Sequence, residues 1–99
     1  MEYNKLVRDR IPEILDQKGI PYEQRVASPE EYKAELIKKL QEELAEFLEN
    51  PTSEELADIM EVIVAMKTLP DFSDVEEVRK QKREERGGFE GRLILKGEK

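Results

Sequence analysis

The chain has 99 residues, of which 37% are hydrophobic and 41% charged, and it contains no Cys and no His. A chain of this length supports one modest hydrophobic core, so we expect a single domain over residues 1–99. Its 24 acidic and 17 basic side chains give a formal net charge of −7, which disfavours nucleic acid as a partner. The missing Cys and His exclude disulfides, thiolate or imidazole zinc sites, and catalysis by either residue.

Two further expectations concern location and metal chemistry. No apolar stretch approaches the roughly 18 to 20 residues of a membrane span, and the opening Met1–Lys5 lacks the apolar segment of a secretory signal. We therefore expect a cytoplasmic protein without a membrane partner. Any metal site must be built from oxygen ligands, which favour Mg²⁺, Mn²⁺ or Ca²⁺.

The first predicted element is a short helix with Pro12 in its first turn. Gly19-Ile20-Pro21 ends this helix, and its predicted buried side consists of Ile11, Ile14 and Leu15. Weak alternation over residues 22–27 predicts a short strand after it.

A second helix has the clearest start in the sequence. Ser28 is in the capping position, Pro29 in the first helical position and Glu31 in the capping-box position. The helix is predicted to run to about Asn50, because Pro51 disfavours helical backbone in the residue before it.

Two more helices follow. Thr52 or Ser53 can cap a third helix that runs through Leu69, and a fourth begins near Ser73 and ends at Gly87-Gly88. The fold class expected from these elements is mainly α, an antiparallel helical bundle with one or two short edge strands. The second of those strands is predicted over Phe89–Lys96, through Leu93, Ile94 and Leu95. The two long helices form a hairpin too small to bury its apolar faces, which favours a homodimer or a higher homo-oligomer.

The position of the acids relative to the apolar stripes indicates a site. Spacing alone is weak, because acids at i and i+3 are expected about six times by chance in so acidic a chain. At about 100° per residue, however, Glu43 lies about 20° outside the apolar sector of the second helix, and Glu46 lies at its border. Glu55 and Asp58 fall within about 60° of each other on the third helix. The apolar residues of this helix cover nearly its whole circumference, which predicts a helix buried on most sides. Two acids from each helix can therefore converge.

Two interpretations of these acids remain open. They can be solvated flanks of amphipathic helices, or meet basic side chains in salt bridges, the candidates being Lys38, Lys39, Arg79 and Lys82. Alternatively they hold a divalent cation, which explains all four together because clustered like charges otherwise raise one another's pKa values and cost stability.

The segments Lys39–Phe47 and Glu54–Asp58 contain the pattern ExxE…ExxD. This pattern resembles the all-α nucleoside triphosphate pyrophosphohydrolases, the superfamily of MazG and phosphoribosyl-ATP pyrophosphohydrolase. The opening Tyr3–Glu13 and the late Lys82–Phe89 are similar to the ends of one subgroup, the phosphoribosyl-ATP pyrophosphohydrolase-like proteins. The resemblance covers essentially the whole chain, although the connection between the acid pairs, eight residues from Phe47 to Glu54, is short for the superfamily.

The resemblance implies a function and a set of ligands. The reaction would be Mg²⁺-dependent hydrolysis of a nucleoside triphosphate to its monophosphate and pyrophosphate, with Mn²⁺ as a substitute metal and house-cleaning of non-standard nucleotides as one role. The implied metal ligands are Glu43, Glu46, Glu55 and Asp58, with Glu42 and Glu61 as outer members. Either Glu43 or Glu46 would activate the attacking water.

Basic residues supply candidates for binding phosphate. Lys82 and Arg86 extend an apolar face of the fourth helix, and Lys5 and Arg8 lie in the opening motif. The alternative for all four is that they are solvated or salt-bridged. Two other functions remain open: a nucleotide- or metal-binding regulatory module without catalysis, and a plain helical dimerisation module whose inward acids pair with Lys or Arg.

Overall fold

The structure is a computed structural model and describes residues 4–97. Four α-helices are present in this part of the chain: α1 (Ile11–Gln17), α2 (Pro29–Glu49), α3 (Ser53–Met66) and α4 (Val75–Arg86), with a 3₁₀ turn at Pro70–Phe72. The prediction of a mainly helical protein is confirmed. Tyr3 of the opening motif lies outside the described residues, as do residues 1–2 and 98–99 of the predicted 1–99 domain.

The caps of the two long helices are the ones the sequence predicts. Ser28 Oγ accepts a hydrogen bond from the Glu31 backbone N–H at 3.2 Å, and Thr52 Oγ1 accepts one from Glu55 at the same distance. Of the two candidate caps for α3, Thr52 is therefore the one that forms the bond. α3 ends at Met66, three residues before the predicted end, and Leu69 is instead the capping residue before the 3₁₀ turn.

The connection over residues 50–52 folds α3 back along α2, and these two helices form the main packing contact among the described elements. Lys33 near the start of α2 is paired with Asp71 beyond the end of α3, as expected of an antiparallel hairpin. The described chain is elongated, with extents of 57 × 32 × 23 Å. A compact four-helix bundle is not confirmed by the single chain.

The core of this hairpin is small. Leu36, Val62 and Leu69 are the buried apolar side chains within residues 4–97. Half-buried side chains pack around them: Leu6, Tyr32, Leu40, Ala65, Met66 and Phe72. The prediction that α3 is covered on most sides is wrong for one chain, because α2 shields only one side of it. Leu56, Met60, Ile63 and Val64 remain 44–59% exposed.

Neither predicted strand forms in the part of the chain that the structure describes. Residues 22–27 and 89–96 are irregular or turn, and Leu93, Ile94 and Leu95 are 89–97% exposed. A strand requires the backbone of a neighbour for its hydrogen bonds, and neither segment has one here. The predicted buried side of α1 is only half-covered, with Ile14 40% exposed. None of the helices in residues 4–97 has both the length and the apolar character that crossing a membrane requires.

Replacing Thr52 with Ala should destabilise the protein by about 1 kcal/mol, because the Glu55 N–H loses its side-chain acceptor at the start of α3. Ser53→Ala is the matched control, since Thr52 and not Ser53 makes the capping bond. Urea denaturation followed by circular dichroism gives both values. Equal losses in the two variants would contradict the assignment of the cap.

Candidate metal centre

Four carboxylates meet on the inner side of the α2–α3 hairpin. Glu43 and Glu46 lie one turn apart on α2, and Glu55 and Asp58 lie one turn apart on α3. One oxygen atom of each carboxylate lies within 4.8 Å of the corresponding atoms of the other three. The structure thus brings together the four acids that the sequence places on the facing sides of two helices, and we call them the carboxylate cluster.

Burial differs within the carboxylate cluster. Glu43 is buried, with 6% of the residue exposed, whereas Glu55 and Asp58 are half-buried and Glu46 is exposed. The cluster therefore has a closed end at Glu43 and an end open to solvent at Glu46. A small ligand can enter from the Glu46 side while Glu43 provides a shielded oxygen.

Two oxygen atoms in the carboxylate cluster have no hydrogen-bond donor within residues 4–97. These are Glu43 Oε2 and Glu55 Oε2, both of which are inaccessible to solvent. A buried carboxylate oxygen without a partner costs free energy, because it has lost its water and gained nothing in exchange. Such oxygens are suitable ligands for a hard divalent cation such as Mg²⁺ or Mn²⁺.

The ionisation of Glu43 reflects the same environment. Burial raises the pKa of the Glu43 carboxyl above its ordinary value, and the nearby Glu46 carboxylate acts in the same direction. The hydrogen bond from Lys39 opposes both effects. A cation bound in the cluster would favour the ionised form of Glu43, which is the form that ligates metal.

Lys39 and Arg8 partly neutralise the carboxylate cluster. Lys39 Nζ lies 3.3 Å from Glu43 Oε1, and Arg8 Nη2 donates to Asp58 Oδ1 at 2.9 Å. Glu46 and Glu55 have no basic partner among the described ion pairs. With all four acids ionised, two negative charges remain without a counter-charge. Salt bridges therefore account for the charge of two of the four acids, Glu43 and Asp58.

Lys39 is one of the four basic residues that the sequence offers as salt-bridge partners of these acids, and the structure pairs it with Glu43. Lys39 precedes Glu43 by four residues, a spacing that puts two side chains on one face of a helix. The other basic residues considered as salt-bridge partners are elsewhere. Lys38 pairs with Glu35 and Arg79 with Glu76.

The predicted phosphate-binding residues divide into two pairs. Arg8 contacts the cluster through Asp58. Lys5 Nζ lies 3.3 Å from Oε1 of Glu42, the residue that precedes Glu43 in the sequence. Lys82 and Arg86 are exposed on α4, and within residues 4–97 no ion pair or hydrogen bond joins either of them to the cluster. The structure thus brings only the opening segment towards the carboxylates.

The two outer acids, Glu42 and Glu61, have different surroundings. Glu42 is half-buried and faces two lysines, with Lys39 Nζ 3.7 Å from its Oε1 atom. Glu61 is exposed and is not part of the carboxylate cluster. Next to Glu42 lies a cavity of about 210 Å³, the lysine-lined cavity, whose walls are Lys5, Leu6, Glu35, Lys38, Lys39 and Glu42.

A scan against protein-family models and searches of curated proteins and of solved structures found no match for this chain. The chemistry of the carboxylate cluster and the motifs of the sequence are therefore the features that indicate a function.

Replacing Glu55 with Gln should leave the metal-free protein as stable as the wild type or more stable, because the change removes one of four clustered negative charges. The same variant should lose most of the rise in Tm that Mg²⁺ or Mn²⁺ gives the wild type. Glu54→Gln is the matched control, since Glu54 is an exposed neighbour outside the cluster. Thermal unfolding with and without metal measures both effects. Collapse of the metal-free fold in Glu55→Gln would instead support a structural role for this acid.

Proposed function

We propose that this protein is a Mg²⁺-dependent nucleotide pyrophosphohydrolase of the all-α nucleoside triphosphate pyrophosphohydrolase superfamily. The reaction splits a nucleoside triphosphate, or a related nucleotide, into the monophosphate and pyrophosphate, with Mn²⁺ as a substitute metal. One observation carries the proposal: four carboxylates converge within 4.8 Å, and the buried Oε2 atoms of Glu43 and Glu55 have no hydrogen-bond partner in the part of the chain that the structure describes. The ExxE…ExxD pattern formed by the same four residues supports it.

The donor set fits a hard divalent cation. All four groups are carboxylates, which hard cations prefer as ligands. Glu43 and Glu55 each have a shielded oxygen to which no hydrogen-bond donor of the described residues is bound. A divalent ion held there would supply charge neutralisation for a phosphoanhydride and would acidify a bound water. The ligands we assign are Glu43, Glu46, Glu55 and Asp58.

Glu46 is the better candidate to accept the proton of the attacking water. Glu43 is buried and already hydrogen-bonded to Lys39, which favours a fixed role as a ligand. Glu46 lies at the open end of the cluster, where water and substrate both have access. Its side chain can therefore hold and orient a water without leaving the ligand set.

Lys5 and Arg8 are the residues we assign to the substrate's phosphates. Both come from the opening segment, which two ion pairs hold beside the carboxylate cluster. Lys5 forms part of the wall of the lysine-lined cavity, which also presents Lys38 and Lys39. Lys82 and Arg86 remain predicted phosphate ligands, and they would require approach of α4 or of a second subunit.

We further propose that a second copy of the chain covers α3. The described residues bury only three apolar side chains, which is a small core for a domain of this length. The exposed apolar side chains of the hairpin include Ile37, Leu44, Leu48, Leu56, Met60, Ile63 and Val64. Pairing them across a two-fold axis would complete an antiparallel bundle as a homodimer or a higher oligomer. In such an assembly residues 89–96 could also gain a strand partner.

A second candidate function is a metal- or nucleotide-binding regulatory module that does not hydrolyse its ligand. The observation that favours it is the short connection between α2 and α3, residues 50–52, which provides no loop to enclose a base. Such a module would keep the carboxylate cluster and lose turnover.

Pyrophosphate release from a panel of ordinary and modified nucleoside triphosphates, with phosphoribosyl-ATP included, tests the proposed activity. We expect release that requires Mg²⁺ or Mn²⁺, stops with chelator and is abolished in Glu55→Gln. Glu46→Gln should lower kcat by about 100-fold or more, with a smaller loss of metal affinity than Glu55→Gln. A metal-dependent rise in Tm without pyrophosphate release from any substrate would support the regulatory module. Absence of both the rise in Tm and pyrophosphate release would contradict the metal site.

The oligomer is tested by sedimentation velocity of the wild type and of Met60→Glu. We expect the wild type to sediment as a dimer or larger, and Met60→Glu to shift towards monomer, because the new charge would be buried at the interface. Gln81→Glu is the matched control, since it adds one negative charge at an exposed position of α4, outside the α2–α3 hairpin. A monomeric wild type at micromolar concentration would overturn this assignment.

A further inference from the structure

Arg8 occupies an unusual position for a residue expected to bind substrate. Its guanidinium donates to Asp58 Oδ1 at 2.9 Å, and Asp58 is one of the four acids of the carboxylate cluster. Arg8 and Asp58 are fifty residues apart in the chain, so the pair fastens the opening segment to α3. Asp58 occupies a donor on Nη2, so all five N–H donors of Arg8 are available to a phosphate only when this bond is broken.

The two basic partners of the cluster differ in how firmly they are held. Lys39 lies on α2 itself, its side chain is 22% exposed, and it neutralises the most buried acid, Glu43. Arg8 lies in an irregular segment, and the side chains of Arg8 and Asp58 are 58% and 40% exposed. Exposed ion pairs are weak and exchange readily with other ions. Arg8 is therefore the counter-ion that a divalent cation can displace.

We propose that Arg8 serves two anions in turn: Asp58 while the cluster is metal-free, and a phosphate group of the ligand once metal is bound. With a divalent cation in the carboxylate cluster, Asp58 would ligate the cation and Arg8 would be released, which would loosen the opening segment while the Lys5–Glu42 pair remains. The freed guanidinium then binds the di- or triphosphate of the substrate, for which its planar fork of donors is suited. This inference rests on the proposed metal site.

The exchange explains how a strongly acidic site accepts an anionic ligand. In the metal-free protein Arg8 is held beside the cluster by Asp58, so its guanidinium is already close to the metal site when metal binding removes its partner. Phosphate would bind poorly before the metal, because Arg8 is engaged and the cluster is negative. Metal first and phosphate second is the order that this arrangement favours.

Calorimetric titration of Arg8→Gln tests the two roles through effects of opposite sign. Mg²⁺ should bind the variant about threefold more tightly than the wild type, because no guanidinium competes for Asp58. Pyrophosphate should bind the Mg²⁺-loaded variant at least about tenfold more weakly. Arg10→Gln is the matched control, with the same change in charge two residues away at an exposed site without an ion pair to the cluster. Equal effects in Arg10→Gln, or effects of one sign in Arg8→Gln, would overturn the proposal.

A nitroxide label on the opening segment of the otherwise unchanged chain gives an independent readout. The protein has no cysteine, so Asn4→Cys provides a single labelling site. Diamagnetic Mg²⁺ should increase the mobility of this label, and added pyrophosphate should reduce it again. If Mg²⁺ binds by calorimetry and the label does not respond, the exchange is wrong while the metal site stands. If Mg²⁺ does not bind at all, the proposed function itself fails.

Discussion

The cost of bringing four carboxylates together at one end of a helical hairpin is the constraint on which the rest of this molecule depends. The connection over residues 50–52 forces α3 back along α2, and the i, i+3 pairs on each helix then face one another. Glu43 lies at the closed end of this arrangement with an oxygen that is shielded from solvent and has no hydrogen-bond donor among the described residues. Such a group is unfavourable in a purely structural hairpin, and it becomes favourable when a cation is bound. The proposed chemistry follows from that imbalance.

The basic residues around the cluster form two layers with different physical roles. Lys39, on the same helix as Glu43, offsets part of the cost of burying that acid in every state of the protein. The opening segment contributes Arg8 and Lys5 through exposed ion pairs that contribute little stability and can be rearranged. The acidic net charge of the chain is thus compatible with the anionic substrate that we propose, because positive charge is concentrated beside the cluster. Lys39 thus stabilises the fold, whereas the proposed ligand is bound by Arg8 and Lys5.

Local signals predicted much of this from the sequence. Capping residues and prolines fixed the limits of α2, and the position of acids against the apolar stripes predicted that Glu43, Glu46, Glu55 and Asp58 converge. Contacts between distant segments were not predictable in this way, since nothing in the local pattern pairs Arg8 with Asp58. The exposure of α3 was also missed, because periodicity reports which faces are apolar and not what covers them. The predicted strands failed for a related reason: alternation does not supply a neighbouring strand.

The central claim is that the carboxylate cluster binds a divalent cation, and Mn²⁺-induced line broadening in the amide NMR spectrum tests it most directly. Substoichiometric Mn²⁺ should first remove the signals of Glu43, Glu46, Glu55 and Asp58 with their immediate neighbours, and excess Mg²⁺ should restore them. Acids outside the cluster, such as Glu84 and Glu85 on α4, provide an internal reference within the same spectrum. Broadening that is spread evenly over the acidic surface, or centred on α4, would contradict the account.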